Sequence, residues 1–139
     1  MTTPKTVTPA EAQALLGEGY TYLDVRTEAE FEAGHPAGAL NVPLNVAGPG
    51  GAAPNPEFLA VVERALGKDA KLVVACQAGG RSKRAMATLA QAGFSGLVEM
   101  PAGFGGSRDA FGRPVPGWSQ AGLPVETGRN YDAVKQRSR

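Results

Sequence analysis

Lys71-Leu72-Val73-Val74-Ala75-Cys76-Gln77-Ala78-Gly79-Gly80-Arg81-Ser82 is the stretch whose reading decides the fold. Leu72 to Val74 form a short apolar run that reads as a buried strand, and Ala85, Met86, Leu89 and Ala92 beyond it recur at helical spacing. A sharp strand-to-helix turn therefore carries Cys76, the one cysteine among 139 residues. Gly79 and Gly80 permit backbone angles that strain other residues and let N–H groups converge on one point. The helix start adds partial positive charge there, and Arg81 adds a permanent cation with planar donors. The turn is thus an anion cradle around a thiol, and it predicts a depressed Cys76 pKa and a pocket that attracts an anion.

Outward from this turn, strands and helices alternate. Thr8-Pro9-Ala10-Glu11 has a capping hydroxyl, a proline at the first helical position and a Glu three residues after the cap, so a helix should run to about Gly17. Residues 20–25 read as a strand ending in Asp24-Val25-Arg26, and Thr27-Glu28-Ala29-Glu30 repeats the capping pattern before a brief helix stopped by Gly34. A further short strand is expected near Ala39-Leu40-Asn41-Val42. The Gly, Pro and Ala content of residues 45–55 suggests an irregular loop, after which Asn55 should cap a helix opened by Pro56 and closed by Gly67. Leu97 to Met100 read as another strand, residues 118–121 as a helical turn, and Leu123-Pro124-Val125 as a return to the sheet. This alternation argues for an α/β domain with a mainly parallel sheet covered on both faces, and the reactive crevice of such a sheet lies at the carboxyl ends of its strands. Cys76 and Asp24-Val25-Arg26 both fall there.

Composition bounds the rest. A chain of 139 residues, 42% hydrophobic, suits one domain that buries roughly two-thirds of its unfolded surface. We expect that domain over residues 1–128, followed by a polar tail over 129–139 that is frayed or packs peripherally. Fourteen Lys and Arg against 13 Asp and Glu give a net charge of +1, which makes no electrostatic case for nucleic acid or a membrane surface as partner. A lone cysteine forms no intramolecular disulfide, and no apolar signal region follows Met1, so a cytoplasmic setting is expected.

Asp24-Val25-Arg26-Thr27, Glu30-Phe31, Gly34-His35, Gly38-Ala39, Asn41-Val42-Pro43 and the Cys76 to Ser82 loop resemble a single-domain rhodanese, of the thiosulfate sulfurtransferase kind. The nearest pattern is that of small sulfurtransferases whose loop reads Cys-Gln-x-Gly-Gly-Arg-Ser after an Asn-Pro-x-Phe-Leu helix, as in Asn55-Pro56-Glu57-Phe58-Leu59. The resemblance implies a rhodanese-like fold with a central five-stranded sheet and helices on both faces. It implies a persulfide on Cys76, loaded from thiosulfate or another persulfide and unloaded to cyanide or a thiol, without metal or organic cofactor. Gln77, Ala78, Gly79, Gly80, Arg81 and Ser82 would then bind the substrate, the amides surrounding the transferred sulfur and Arg81 holding the donor's oxygens. The chain would act as a monomer or homodimer.

A thiolate displaces sulfite from thiosulfate once the repulsion between two anions is relieved, and N–H groups with Arg81 relieve it. With no second cysteine, the outer sulfur must leave to an external nucleophile. Cysteine phosphatases and arsenate reductases place five residues between Cys and Arg, whereas four separate Cys76 from Arg81. A non-catalytic binding module would have no need of Cys76 and Arg81. Asp24, Arg26, Glu30 and His35 are read as structural support, with Arg26 and Glu30, four apart, pairing to brace the crevice, and His35 serving a turn. Lys83 and Arg84 read as a solvated helix face. Residues 103–117 look like an inserted loop, mobile through its glycines, which either sets one wall of the pocket with Phe104, Phe111, Arg108 and Arg113 or is a harmless surface extension.

Overall fold

The computed structural model describes residues 5–137. In chain order the elements are β1 (Lys5–Thr6), α1 (Pro9–Gly17), β2 (Thr21–Asp24), α2 (Glu28–Ala33), β3 (His35–Pro36), β4 (Leu40–Asn41), β5 (Asn45–Gly48) and β6 (Gly51–Pro54). They continue with α3 (Phe58–Ala65), β7 (Lys71–Ala75), α4 (Gly80–Gln91), β8 (Gly96–Glu99), β9 (Ser107–Arg108), β10 (Pro114–Val115), β11 (Val125–Glu126) and α5 (Tyr131–Lys135).

Five strands make the central sheet in the order β1-β8-β7-β2-β4, every pairing parallel. The period-two alternation of side chains sorts the strand residues onto two faces. Leu23, Leu72 and Val74 join Phe58, Val61, Val62, Met86 and Leu89 in one buried cluster, under α3, α4 and α5. Tyr22, Val73 and Ala75 point the other way and pack with Ala12, Phe31 and Trp118. Helices thus cover both faces, and the near-continuous apolar run of β7 is what a strand buried on both sides requires. Both expected capping boxes form, Thr8 with Glu11 and Thr27 with Glu30.

Four local expectations are corrected. Residues 45–54 are an antiparallel hairpin, β5 with β6, because Pro49-Gly50 makes a tight two-residue turn between them. The α3 helix begins at Phe58: Asn55 accepts the Glu57 amide through Oδ1 in a turn and gives its Nδ2 to the Pro43 carbonyl and the Tyr131 hydroxyl. β11 pairs antiparallel with β3 in a separate ribbon and does not return to the central sheet. The segment read as a peripheral tail contains α5, whose Tyr131 and Val134 are buried in the core beside α3 and β4, since two apolar residues three apart give even a short helix a face to bury.

Candidate active site

Cys76 follows β7 at the carboxyl edge of the sheet, beside the end of β2 and with β8 on the other flank. It is buried, and the Gly79 amide donates to its Sγ at 3.1 Å. Gly79 is the N-cap of α4, with φ +105°, and a Cβ there would stand 2.9 Å from the Pro101 carbonyl oxygen, so this turn demands glycine twice over. Gly80 does not: its φ is not positive and nothing crowds its missing Cβ, so of the two glycines expected to adopt angles that strain other residues only Gly79 does. Burial pushes the thiol up, but the hydrogen bonds that the ionised sulfur accepts, from the Ser82 hydroxyl and amide and from the Gly79 and Ala78 amides, outweigh it, and the Cys76 pKa is lowered. The amides that act on sulfur are therefore those of Ala78, Gly79 and Ser82.

Arg81 does not project alone into the cradle. Its Nη1 and Nη2 donate to Glu30 Oε1 and Oε2 at 2.6 and 2.9 Å, a bidentate pair in which Arg81 is 23% and Glu30 34% exposed. The guanidinium holds the Glu30 carboxyl down at about 2. Glu30 also accepts the Thr27 amide, so a single carboxylate caps α2 and anchors the first turn of α4. The expected pairing of Glu30 with Arg26 is thus corrected. Arg26 instead folds back on Asp24, with Nε and Nη2 on its carboxylate at 3.0 and 2.9 Å, because two residues at the end of a buried strand reach each other without crossing solvent. From there Arg26 Nη1 donates to Gln77 Oε1 at 3.0 Å, its Nη2 to the Gly34 carbonyl at 2.7 Å, and its guanidinium lies 4.4 Å over the Phe104 ring. Asp24 and Arg26 brace the active loop through Gln77. His35 lies apart from the sulfur: it is buried in β3, stacks on Phe31 and donates Nδ1–H to the Phe31 carbonyl, with Nε2 facing Glu126.

The segment after β8 is a clasp on the active loop. The Phe104 and Gly105 amides donate to the Cys76 and Gln77 carbonyls at 2.8 and 3.1 Å. A Cβ on Gly103 would stand 2.4 Å from the Gln77 carbonyl oxygen, and one on Gly105 would collide with the Gln77 side chain. Gly103 serves close approach of two backbones, and Gly105 leaves room for the Gln77 side chain. Beyond them β9 and β10 form a hairpin whose tip carries Phe111, 82% exposed. Two cavities flank the loop. One, of about 420 Å³, is lined by Ala78, Gly105, Gly106, Ser107, Arg108, Pro114, Val115 and Gln120. The other, of about 440 Å³, is lined by Arg26, Glu30, Ala33, Gly34, Gln77 and Phe104. Of the four residues expected as a wall, Phe104 and Arg108 line these cavities, whereas Phe111 and Arg113 lie at the hairpin tip and line neither.

Sequence reading missed Glu99. It ends β8, one strand over from Cys76, is buried, and accepts from Ser82 Oγ at 2.7 Å. A carboxylate closing an otherwise apolar strand at the carboxyl edge was the available signal. Among the described residues no cluster of His, Cys, Asp and Glu is placed to hold a metal, and no helix is long and apolar enough to cross a membrane.

The family model described as Rhodanese-like domain matches residues 8–106. Thiosulfate sulfurtransferase 16, chloroplastic, of Arabidopsis thaliana is 38% identical over 123 residues, which cover 88% of this chain and 93% of that protein. Protein HIGH ARSENIC CONTENT 1, mitochondrial, of the same plant is 40% identical over 115 residues, covering 78% of this chain and 68% of its own. Among solved structures, that of Rv0390 from M. tuberculosis superposes with a TM-score of 0.70 at 28% identity, covering 91% of this chain and all of that one.

Proposed function

Since the chain belongs to the rhodanese-like domain family, as a small α/β domain with relatives named thiosulfate sulfurtransferase, we propose that it transfers sulfane sulfur through a persulfide on Cys76. The observation that carries this reading is the buried sulfur with the Gly79 amide aimed at it from 3.1 Å, in a loop whose hydrogen bonds lower the thiol. In the loading step the Cys76 thiolate attacks the outer sulfur of thiosulfate, the S–S bond of the donor breaks, and sulfite leaves with the bonding pair. In the unloading step cyanide or a thiolate attacks the outer sulfur of the persulfide, and Sγ departs as thiolate. The Ala78, Gly79 and Ser82 amides stabilise the charge on sulfur in both directions.

Arg81 contributes as an anion contact through the N–H groups its pair leaves free. A guanidinium has five, and Glu30 occupies two through Nη1 and Nη2. The pair fixes the guanidinium plane while reducing its net charge, which suits transient contact with an anionic donor better than tight capture. Gln77 and Gly80 complete the loop as positioning residues, Gln77 through Arg26. The cavity beside Ala78, with Arg108 on its wall, is an approach for an acceptor bearing negative charge. A reducing compartment suits a lone reactive thiol; the two plant relatives carry chloroplastic and mitochondrial in their names.

The relative named for arsenic content keeps an oxyanion reading in view. Thiosulfate with cyanide, arsenate with a thiol reductant, and an aryl phosphate, offered to the same preparation, separate the alternatives. Thiocyanate release abolished by Cys76→Ser is expected. Turnover of arsenate or aryl phosphate alone would overturn the proposal, and turnover of none would favour a binding module.

A further inference from the structure

The Ser82 hydroxyl has one proton and three acceptors within reach. Glu99 Oε2 lies at 2.7 Å, the Gly79 carbonyl at 3.1 Å, and Cys76 Sγ at 3.6 Å. Ser82 is wholly enclosed and Glu99 nearly so, hence no bulk water competes for these groups. A hydrogen bond to a carboxylate is about twice as strong as a neutral one, so the proton rests with Glu99. The Cys76 contact is then one in which the thiol donates to Ser82 Oγ, an arrangement that favours the protonated sulfur.

We propose that Glu99 is a positioning residue for Cys76: it holds the Ser82 proton away from sulfur, and a fully stabilised thiolate forms when that proton turns from the carboxylate to Sγ. The inference deepens the reading of Cys76 as the reactive thiol. On ionisation the Cys76 proton goes to solvent, and the Ser82 O–H rotates without breaking. In the persulfide Sγ carries neither proton nor charge, so Glu99 keeps the Ser82 proton. When an acceptor takes the outer sulfur, Sγ leaves with the bonding pair and draws that proton back. Glu99 thereby favours the thiol and the persulfide over the free thiolate. Lys83 Nζ from α4, 3.7 Å from Glu99 Oε1 and 68% exposed, offsets its charge only in part. On the sulfur side the other groups are Arg81 from α4, Asp24 and Tyr22 from β2, and Arg26 just after β2; none of these side chains hydrogen-bonds Ser82.

The test is the rate of Cys76 alkylation by iodoacetamide as a function of pH in the full chain, which needs no sulfur transfer. Glu99→Gln can present an amide N–H to Ser82 Oγ and release the proton to sulfur. Glu99→Asp keeps the charge but retracts the carboxylate by one methylene. Both are expected to move the midpoint down by about one unit, roughly a fivefold faster reaction a unit below the wild-type midpoint and about tenfold well below it. Ser82→Ala should raise the midpoint and shrink the effect of an added Glu99→Gln. A midpoint unmoved or raised in Glu99→Asp, or a Glu99→Gln shift of equal size with and without Ser82, overturns the proposal. Should Glu99→Gln not fold, Glu99→Asp carries the test alone. A chain that shows the shift but takes up no sulfur fails the functional reading and not this one.

Discussion

Glu30 joins two helices through one carboxylate, and its pH dependence follows from that. Its folded pKa of about 2 lies below the ordinary 4.5, so the pair with Arg81 contributes stability above pH 4.5 and loses it as pH falls toward 2. Glu30→Gln should therefore cost about 1 kcal/mol at pH 7, the pair being partly solvent-screened, and the difference from wild type in urea unfolding should shrink steadily between pH 4.5 and 2. A difference that stays constant across that window would show that packing, not charge, sets the role of Glu30. For the sulfur itself, Ser82→Ala removes a buried hydroxyl that touches both Cys76 and Glu99. It should slow persulfide formation more at acid than at alkaline pH, measured as a single-turnover rate, because at alkaline pH the thiol is ionised without its help.

At the scale of elements, the clasp of residues 103–106 matters as much as the cradle it holds. Gly103 has φ +70° and no room for a Cβ against the Gln77 carbonyl, so Gly103→Ala must lift one backbone from the other. We expect a cost of about 2 kcal/mol and a matching loss of sulfur loading, since the amides around Cys76 lose their backing. Gly50→Ala, in a turn with nothing within 4 Å of the added Cβ, should stay within about 0.5 kcal/mol of wild type. Thermal melts with sulfur uptake on the same samples check both. Equal behaviour of the two variants would deny the clasp its part. The strand-to-helix turn was legible because Leu72 to Ser82 states its strand, its bend and its helix in contiguous residues. The clasp was not, because a Gly-rich stretch reads alike whether its glycines serve freedom or close contact; only the partner backbone tells them apart.

Across the whole molecule, the parallel sheet and its two helical layers were legible from alternating periodicity and from two capping boxes, both of which are local signals. The closing of the core by α5 was not. Tyr131 and Val134 sit among Arg, Lys and polar neighbours that mask a two-residue apolar face, and the partner of the Tyr131 hydroxyl, Asn55 Nδ2, lies 76 residues away in the chain. Pairings across the fold hid in the same way: Glu30 reaches Arg81 over 51 residues, although Arg26 is four residues away in sequence. Ending the chain at residue 128 should therefore strip a core surface and cost about 3–5 kcal/mol. That corresponds to a melting temperature lower by more than about 10 °C. A truncated chain that melts where the full one does would return the segment to the periphery. Whether the buried sulfur can hold a second one is answered directly by the mass of the intact protein after thiosulfate treatment. Wild type should gain one sulfur atom, lose it on addition of cyanide, and Cys76→Ser should gain none; a wild-type chain whose mass stays unchanged would contradict a persulfide on Cys76.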